Sequence, residues 1–565
     1  MRTALSFLAI LIPVWAAAPV LEIKVNQAGY LVDTPKVAFT SHQAAEFTVR
    51  SAADQSVAFR GTAQPAADDA DSGDQVQALD FSGLNIPGKY YLDVPGVGRS
   101  WDFEIGPKSY ERAYYLAMRS YYGQRCGTAV DLGSEFPGFK HAACHLDGAF
   151  HESSGKGGPA KNPGGWHDAG DYGRYVVNSG ITTGTLLWTW EMYGRRIRGI
   201  GLKIPESGGK MPDFLSEIKW NLDWMLSMQD TDGGVWHKQT SDKFCDFIMP
   251  EDDKLTSYVI GTGAAPYKSS CATADLAAVA AIAARVYRPF DKAYADKCLR
   301  AAQLAWAWLD KNPNVLFRNP KGVSTGEYGD GNCGDEHLWA AAELLRSTGD
   351  DTYHRYFLEH YQAFLGTLRP QNPQSWGDVA PLALWTYVLG VGKDLAAASA
   401  IRTSAVAAAD QIVDRTKKNG YHVSLTSKDY IWGSNGVVAN YAMQLLVAHA
   451  IQQDRQYVNA ALDNLHYLLG RNTFSLSFVT QVGANPYRHP HHRPSGADQN
   501  AEPWPGLLSG GPNAHRQDPA MKKLPDLPPA KMYLDEQDSY ATNEIAINWN
   551  APLVFVLAGV LSAQP

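Results

Sequence analysis

From about Val20 to Gly106 apolar and polar residues alternate in short runs, LEIKVNQ, KVAFT, EFTVR, VAFRG, KYYLDV and SWDFEI, separated by clusters of Gly, Pro, Asp and Ser. Successive side chains of a strand face opposite ways, so period-2 runs punctuated this densely predict a small all-β, immunoglobulin-like sandwich over 19–107. The Cys…Trp…Cys pattern of antibody domains is absent. After Pro107 the period changes. SYERAYYLAMRSYY has helical spacing, and twelve such stretches are read at 109–122, 175–192, 212–228, 272–287, 291–310, 335–348, 351–368, 380–391, 394–415, 435–451, 455–469 and 543–561. Several, such as DLAAVAAIAARVY, are apolar on wide faces, which predicts helices buried on more than one side. No strong alternation interrupts them, so a parallel-sheet barrel is disfavoured. Twelve helices instead predict an all-α barrel of six helical hairpins filling 108–565. The long irregular segments 229–270 and 476–542 are where function is expected, because structureless connections of that length are uncommon without a role.

The first residues change the expected compartment. MRTALSFLAILIPVWAAAP carries Arg2, an apolar run from Ala4 to Trp15 and small residues from Ala16 to Ala18, the pattern of a secretory signal peptide over 1–18. The run is too short to span a bilayer comfortably, and no other segment reaches 18 uninterrupted apolar residues. A secreted protein, extracellular or periplasmic and without a membrane partner, is expected. With 50 Lys and Arg against 58 Asp and Glu, the net charge is −8, which argues against nucleic acid because phosphate binding needs a basic face. Aromatic residues make up 11 % of the chain, suited to stacking on sugars or to a large core. The six cysteines, Cys126, Cys144, Cys245, Cys271, Cys298 and Cys333, are compatible with disulfides but too few for a disulfide scaffold.

Chemistry concentrates in four places. In GGWHDAGDYGRY (164–175), Asp168 and Asp171 stand three apart in a glycine-rich loop before a helical stretch. A helix N-terminus holds a carboxylate ionised, which suits a base; a calcium-type or capping loop is the alternative. In YLDEQDSYATNEIAINWNAP (533–552), Asp535, Glu536, Asp538 and Glu544 gather around Tyr533, Tyr540 and Trp549. Neighbouring carboxylates and aromatic walls favour a retained proton there, whereas the dipole of the last helix pushes Glu544 the other way. HPHHRPSG (489–496) offers a compact set of hydrogen-bond donors for hydroxyls or an anion, and Pro490 leaves no helical ligand pair for a metal. Finally Cys126, Cys144, His145 and His151 supply two thiolates and two imidazoles, a structural zinc set. A Cys126–Cys144 disulfide, or His141 or His167 in fourth place, are the alternatives.

These motifs resemble glycoside hydrolase family 9, a cellulase family, in its branch with an N-terminal immunoglobulin-like domain. The resemblance rests on KVNQAGYLVDTPKVAF, on GWHDAGDYGRYVVNSG (165–180), on SFVTQVGANPYRHPHHR (477–493) and on YLDEQDSYATNEIAINWNA (533–551), and covers nearly all of the mature chain. It implies an (α/α)6 barrel and inverting hydrolysis of β-1,4-glucosidic bonds in cellulose and related glucans, endo-acting, with an exo-acting glycosidase or a non-catalytic sugar-binding protein as the alternatives. By matching position, Asp171 is the base that activates water, Asp168 the carboxylate assisting it and Glu544 the general acid. Asp535 is a further active-site carboxylate, and His491 and Arg493 are donors beside the cleaved sugar. Inversion needs room for water between acid and base, roughly 6.5–9.5 Å between carboxyl groups, which requires the last helix to close on the first. The resemblance also implies structural zinc on Cys126, Cys144, His145 and His151. The stretch GDGNCGDEHLWAAAEL (329–344) is similar to the family's calcium loop, with Asp335, Glu336 and later Asp378 as oxygen ligands and Gly331 where some members have Ser. Helix capping is the alternative for Asp335. No cofactor is implied in the chemical step, and a monomer acting on a β-1,4-glucan or cello-oligosaccharide is expected. Trp236, Trp376, Trp432, Tyr487 and Tyr540 are candidates for stacking on glucose rings, with core packing as the alternative for each. Trp166 and Tyr533 lie in or near the same loops.

Overall fold

The computed structural model describes residues 18–563. The leader expected over 1–18 therefore lies, apart from Ala18, outside the described residues. Nine strands form the first body: β1 (Ile23–Lys24), β2 (Val37–Thr40), β3 (Glu46–Ser51), β4 (Val57–Thr62), β5 (Ala67–Asp69), β6 (Asp74–Asp80), β7 (Gly88–Val94), β8 (Gly98–Arg99) and β9 (Phe103–Ile105). They pair antiparallel into two sheets, one in the order β1-β2-β6-β5 and the other β4-β3-β7-β8 with β9 also on β7. Inward residues of both sheets, among them Ile23, Phe47, Val49, Leu79, Leu92 and Phe103, make the core. Tyr30 sits at its centre, edge-on to Phe81 at 5.2 Å and Phe103 at 5.3 Å. Strand β6 escapes a reading by alternation because Val76 and Gln77 are adjacent and both buried. The Gln77 amide is satisfied there by accepting from Ala44 N at 2.7 Å and donating to Gln64 O at 2.8 Å.

The second body is helical. Its longer helices are α1 (Glu111–Gly123), α2 (Val176–Ile197), α3 (Asp213–Ser227), α4 (Ser270–Val286), α5 (Lys292–Leu309), α6 (Gly334–Thr348), α7 (Asp351–Phe364), α8 (Ala380–Gly390), α9 (Leu395–Lys418), α10 (Ser434–Ile451), α11 (Arg455–Leu468) and α12 (Ile547–Ser562). The even-numbered helices pack in sequence, α2 on α4, α4 on α6, α6 on α8, α8 on α10, α10 on α12, and α12 returns to α2. The odd-numbered helices lie outside this ring, each against an inner neighbour. This is an (α/α)6 barrel, and it explains the composition: α4 is buried from Ser270 to Ala284, so it has no polar face to show. Close approach within the ring demands small residues, since a Cβ on Gly184 of α2 would meet the Trp339 ring of α6 at 2.5 Å.

Two features were not legible in the pattern. A five-stranded sheet, in the order Pro159–Ala160, Gly148–Phe150, Ser257–Ile260, Lys238–Thr240 and Arg174–Tyr175, is built of segments of two to four residues, too short to carry a period. A disulfide joins Cys271 at the start of α4 to Cys333 just before α6. Cys126 and Cys144 are both free thiols, which removes the alternative of a bridge between them.

The two bodies meet through apolar packing of Phe39 and Val76 on Tyr421 and through polar contacts. Asp74 of β6 accepts from Tyr421 Oη and Thr473 Oγ1, both at 2.8 Å, and from Lys531 Nζ at 2.6 Å. Among the described residues, no helix is long and apolar enough to cross a membrane.

Candidate active site

The loops that enter the inner helices from one end carry the candidate residues. Asp168 and Asp171 precede α2, Tyr328 precedes α6, Trp376 precedes α8, Trp432 precedes α10 and Glu544 precedes α12. All line one open cleft of about 850 Å³, together with Tyr175, Phe244, His491, Arg493, Tyr540 and Trp549. Because α12 closes on α2, carboxylates far apart in the sequence face the same space.

The three carboxyl groups are held differently. Asp168 is fully engaged: Oδ1 accepts from Asn178 Nδ2 at 2.6 Å and Oδ2 from the Tyr328 hydroxyl at 2.6 Å. Burial raises its carboxyl to about 7, with the charge of Asp171 adding to the effect and these two hydrogen bonds opposing it. Asp171 accepts from Gly173 N at 3.0 Å and Tyr175 Oη at 3.4 Å, both on Oδ2. Its Oδ1 is thus the oxygen left for a water in the cleft. Glu544 accepts from Trp432 Nε1 at 3.1 Å on Oε2. Though partly open to the cleft, its carboxyl lies deep among protein walls, and this burial raises it to about 8, reinforced by the charges of Asp171 and Asp168. The retained proton expected from neighbouring carboxylates and aromatic walls is what burial and the two aspartates favour here, and Glu544 stands two residues before the Ala546 cap of α12.

The glycine-rich loop is pinned from behind. Gln124 Nε2 donates to His167 O at 3.2 Å and Ala169 O at 2.9 Å, and its Oε1 lies 3.0 Å from His492 Nε2. Gly170 lets the histidine-rich segment pass at contact distance, for a Cβ there would sit 1.9 Å from His491 O. Arg493 closes the same junction, donating to Gly170 O at 2.9 Å and Cys245 O at 3.0 Å between the rings of Phe244 and Phe247. His491 was expected as a donor. Its Nδ1 lies 2.7 Å from Gln537 O, an obligate acceptor, so Nδ1 holds the proton; burial lowers the ring's basicity, and neutral Nε2 is then an acceptor toward the cleft.

Several expectations are corrected. Asp535 does not line the cleft. Its carboxylate accepts from the backbone N–H of Arg488 and His489, both at 2.8 Å, and from Asn543 Nδ2 at 2.9 Å, tying the histidine-rich loop to the segment that carries Glu544. Trp236 is buried against Phe150, its indole N–H donating to Ser154 O at 3.1 Å, so it packs the small sheet. Tyr487, Tyr533 and Trp166 are likewise buried in the core. Trp376, Trp432 and Tyr540 do face the cleft, with Trp432 and Tyr540 ring centroids 5.4 Å apart. Tyr328, Tyr175 and Phe244 were missed, because their place beside the carboxylates depends on loops from distant parts of the chain meeting.

The metal-ligand expectation changes in one member. Ligand atoms of Cys126, Cys144, His145 and His167 all lie within 4.8 Å of one another, in a mostly buried group. His151 lies outside the group, because its Nδ1 caps the turn Glu152–Ser154 by accepting from Ser153 N at 3.2 Å. His167 replaces it, carried in by the loop that holds Asp168. His145 Nε2 lies 3.3 Å from Asp253 Oδ2, the carboxylate support that metal-bound imidazoles favour. Two thiols and two imidazoles at this spacing fit a tetrahedral soft metal ion.

A second group is acidic. Asp335 is buried and accepts from Val379 N at 2.8 Å, while Glu336 and Asp275 are fully buried with no amide, hydroxyl or basic group on their carboxylate oxygens, Glu336 lying against the Asp335 carboxyl. Burial raises Glu336 and Asp275 well above the carboxylate range, with the charge of Asp335 adding. Burial, then Asp335, raises Asp378 to about 6. The Cys271 and Cys333 sulfurs beside Glu336 are spent on their disulfide, so only oxygens remain as donors there. Unsatisfied buried oxygens of this kind fit a hard cation.

Comparison with known proteins agrees with this architecture. Residues 110–557 match the glycosyl hydrolase family 9 profile, and residues 19–99 match the cellulase N-terminal Ig-like domain. The chain is 40 % identical to Endoglucanase D of Acetivibrio thermocellus over 546 residues, covering 96 % of this chain and 83 % of that protein. It is 36 % identical to a cellodextrinase of Butyrivibrio fibrisolvens, covering 96 % of this chain and all of that one. Among solved structures, a Zn-binding triple mutant of the GH family 9 endoglucanase J30 superimposes with a TM-score of 0.88 at 36 % identity, over 94 % of this chain and 100 % of that one.

Proposed function

Since the chain belongs to glycosyl hydrolase family 9, we propose that it cleaves β-1,4-glucosidic bonds within the chains of cellulose and related β-glucans, by a single displacement that inverts the anomeric centre. Relatives named as endoglucanase and cellodextrinase support the substrate class. The observation that carries the mechanism is the unequal treatment of two carboxyl groups in one aromatic-walled cleft. Asp171 has an oxygen uncommitted to the protein, and Glu544 keeps its proton to about pH 8. Asp171 is the base: it takes a proton from a water that attacks the anomeric carbon. Glu544 is the acid, giving its proton to the departing glycosidic oxygen. Asp168, both oxygens engaged, is better suited to orient that water than to deprotonate it. His491 Nε2 accepts from a sugar hydroxyl, Arg493 fixes the loops around it, and Trp376, Trp432 and Tyr540 are stacking surfaces.

In the same reading, residues 1–18 are a leader that directs secretion, 19–107 the sandwich domain and 108–565 the catalytic domain, acting as a monomer. Cys126, Cys144, His145 and His167 hold structural zinc, and Asp335, Glu336 and Asp378 bind calcium. When bound, zinc supplies a cross-link between the end of α1 and the catalytic loop and takes no part in bond cleavage. A strong chelator is therefore expected to lower the melting temperature by several degrees while the initial rate just after mixing stays unchanged. Instant loss of rate at intact fold would contradict a structural role.

Viscosity of a soluble cellulose derivative, followed together with reducing ends, tests the internal mode of attack. Viscosity is expected to collapse while few reducing ends have formed; a steady release of short sugars at nearly constant viscosity would show attack from chain ends.

A further inference from the structure

We infer that Lys238 is a positioning residue for the reaction: from beneath the cleft it holds the loop 317–328, and through that loop keeps the Tyr328 hydroxyl on Asp168. The inference rests on the catalytic reading above. Lys238 is fully buried in the short strand Lys238–Thr240 and does not line the cleft, so it has no access to a sugar. Its Nζ donates to Asn319 Oδ1 and Gly326 O, both at 2.7 Å, and to Thr325 Oγ1 at 3.1 Å. An ammonium has three N–H donors, and here all three are spent on one loop.

The loop needs such a centre. Phe317 and Val323 bury its two apolar anchors beside Ile260, but between and after them the loop turns the oxygens of Asn319, Thr325 and Gly326 inward, and unpaired acceptors in a buried site are costly. Burial lowers the Lys238 ammonium to about 7, opposed by the charges of Asp171 and Glu327. Three oxygens around Nζ favour the charged form, since a neutral amine offers only two donors. The preceding residue grips the same loop. His237 stacks on Phe317 with ring centroids 3.8 Å apart, and its Nε2 lies 3.0 Å from Glu327 O.

What the loop delivers is Tyr328. Its backbone sits at φ 44°, a left-handed conformation that a tyrosine adopts only when its surroundings impose it. Its hydroxyl donates to Asp168 Oδ2 at 2.6 Å, and its ring lies 4.8 Å from Tyr175, the residue that donates to Asp171. Tyr175 stands directly opposite Lys238 in the antiparallel pair of strands. Lys238 thus connects to the supports of both aspartates without touching either.

A double-mutant cycle tests this. Lys238→Met keeps the volume and removes the donors; it is expected to lower kcat on cellohexaose on the order of 10-fold, as displacement of a reacting geometry does. Tyr328→Phe is expected to lower kcat comparably, and the double variant to be no slower than the slower single one, because both changes break the same support. Lys238→Arg, which keeps a charged donor, is expected to recover part of the loss. Losses that multiply in the double variant, or an unchanged kcat in folded Lys238→Met, would overturn the inference. Should Lys238→Met fail to fold, Thr325→Val removes one acceptor from the loop side and enters the same cycle with the same two outcomes. Glu544→Gln measured alongside separates the claims. If it is inactive while the Lys238 losses multiply, the inference alone fails; if it stays active, the catalytic reading fails and takes the inference with it.

Discussion

Replacing Glu544 with glutamine is expected to lower kcat on a soluble β-glucan by about 10²- to 10⁴-fold without unfolding the protein. The side chains are nearly isosteric, and the glutamine carbonyl can still accept from Trp432 Nε1, which lies 3.1 Å from the carboxylate. What is lost is a carboxyl proton that burial holds ready in the cleft at neutral pH. The same cause shapes the pH profile. A general acid must be protonated, and this one sheds its proton only near pH 8, so kcat is expected to persist through neutrality and fall as pH rises through about 8. It also has a cost in stability. The folded state keeps the proton up to about pH 8 while the unfolded chain sheds it near 4.5, the ordinary value for a glutamate, so ionisation of Glu544 disfavours the fold progressively between these values. Glu544→Gln is therefore expected to melt no lower than the wild type at neutral pH, and higher above pH 8. A variant that keeps its activity, or loses it only through unfolding, would remove Glu544 from the acid role.

Asp171→Asn is expected to produce a loss of similar size, again about 10²- to 10⁴-fold in kcat. Asparagine can preserve the bond from Gly173 N at 3.0 Å but cannot take a proton from water. The comparison with Asp168→Asn makes the assignment discriminating. Asp168 holds Asn178 and Tyr328 on its two oxygens, so its replacement is expected to cost less than that of Asp171, through disordered water placement. If Asp168→Asn were the more damaging, the roles of the two aspartates would have to be exchanged.

Local pattern made much of this legible. The helices buried on several faces show as apolar stretches, and each of the twelve stretches corresponds to a helix with ends shifted by a few residues. The sandwich shows in six alternating runs; β5 and β8, of three and two residues, are too short to carry a period, and at β6 the satisfied Gln77 breaks it. The carboxylate clusters stand out because glycine and aromatic residues crowd them in sequence. What escaped depends on distance. Nothing near His151 marks it as the cap of a turn and nothing near His167 marks it as its replacement in the thiol-imidazole group; that is decided where the ends of separate segments meet. Trp236 and Trp376 are both loop tryptophans in the sequence, yet one packs a small sheet that short strands conceal while the other borders the cleft. Asp535 stands within the carboxylate-rich segment but turns to the backbone of Arg488 and His489, an interaction that sequence proximity to Glu544 disguises. The support of Asp168 by Tyr328 is likewise invisible until the loops before α2 and α6 meet at one end of the ring.

The proposed pairing of Asp171 as base with Glu544 as acid commits the enzyme to one stereochemical outcome. Proton NMR of cellohexaose hydrolysis, recorded before mutarotation equilibrates the products, reads it directly. The α-anomer is expected to appear first at the newly formed reducing end. First appearance of the β-anomer would mean a covalent intermediate and two displacements, and would contradict the roles assigned to Asp171 and Glu544.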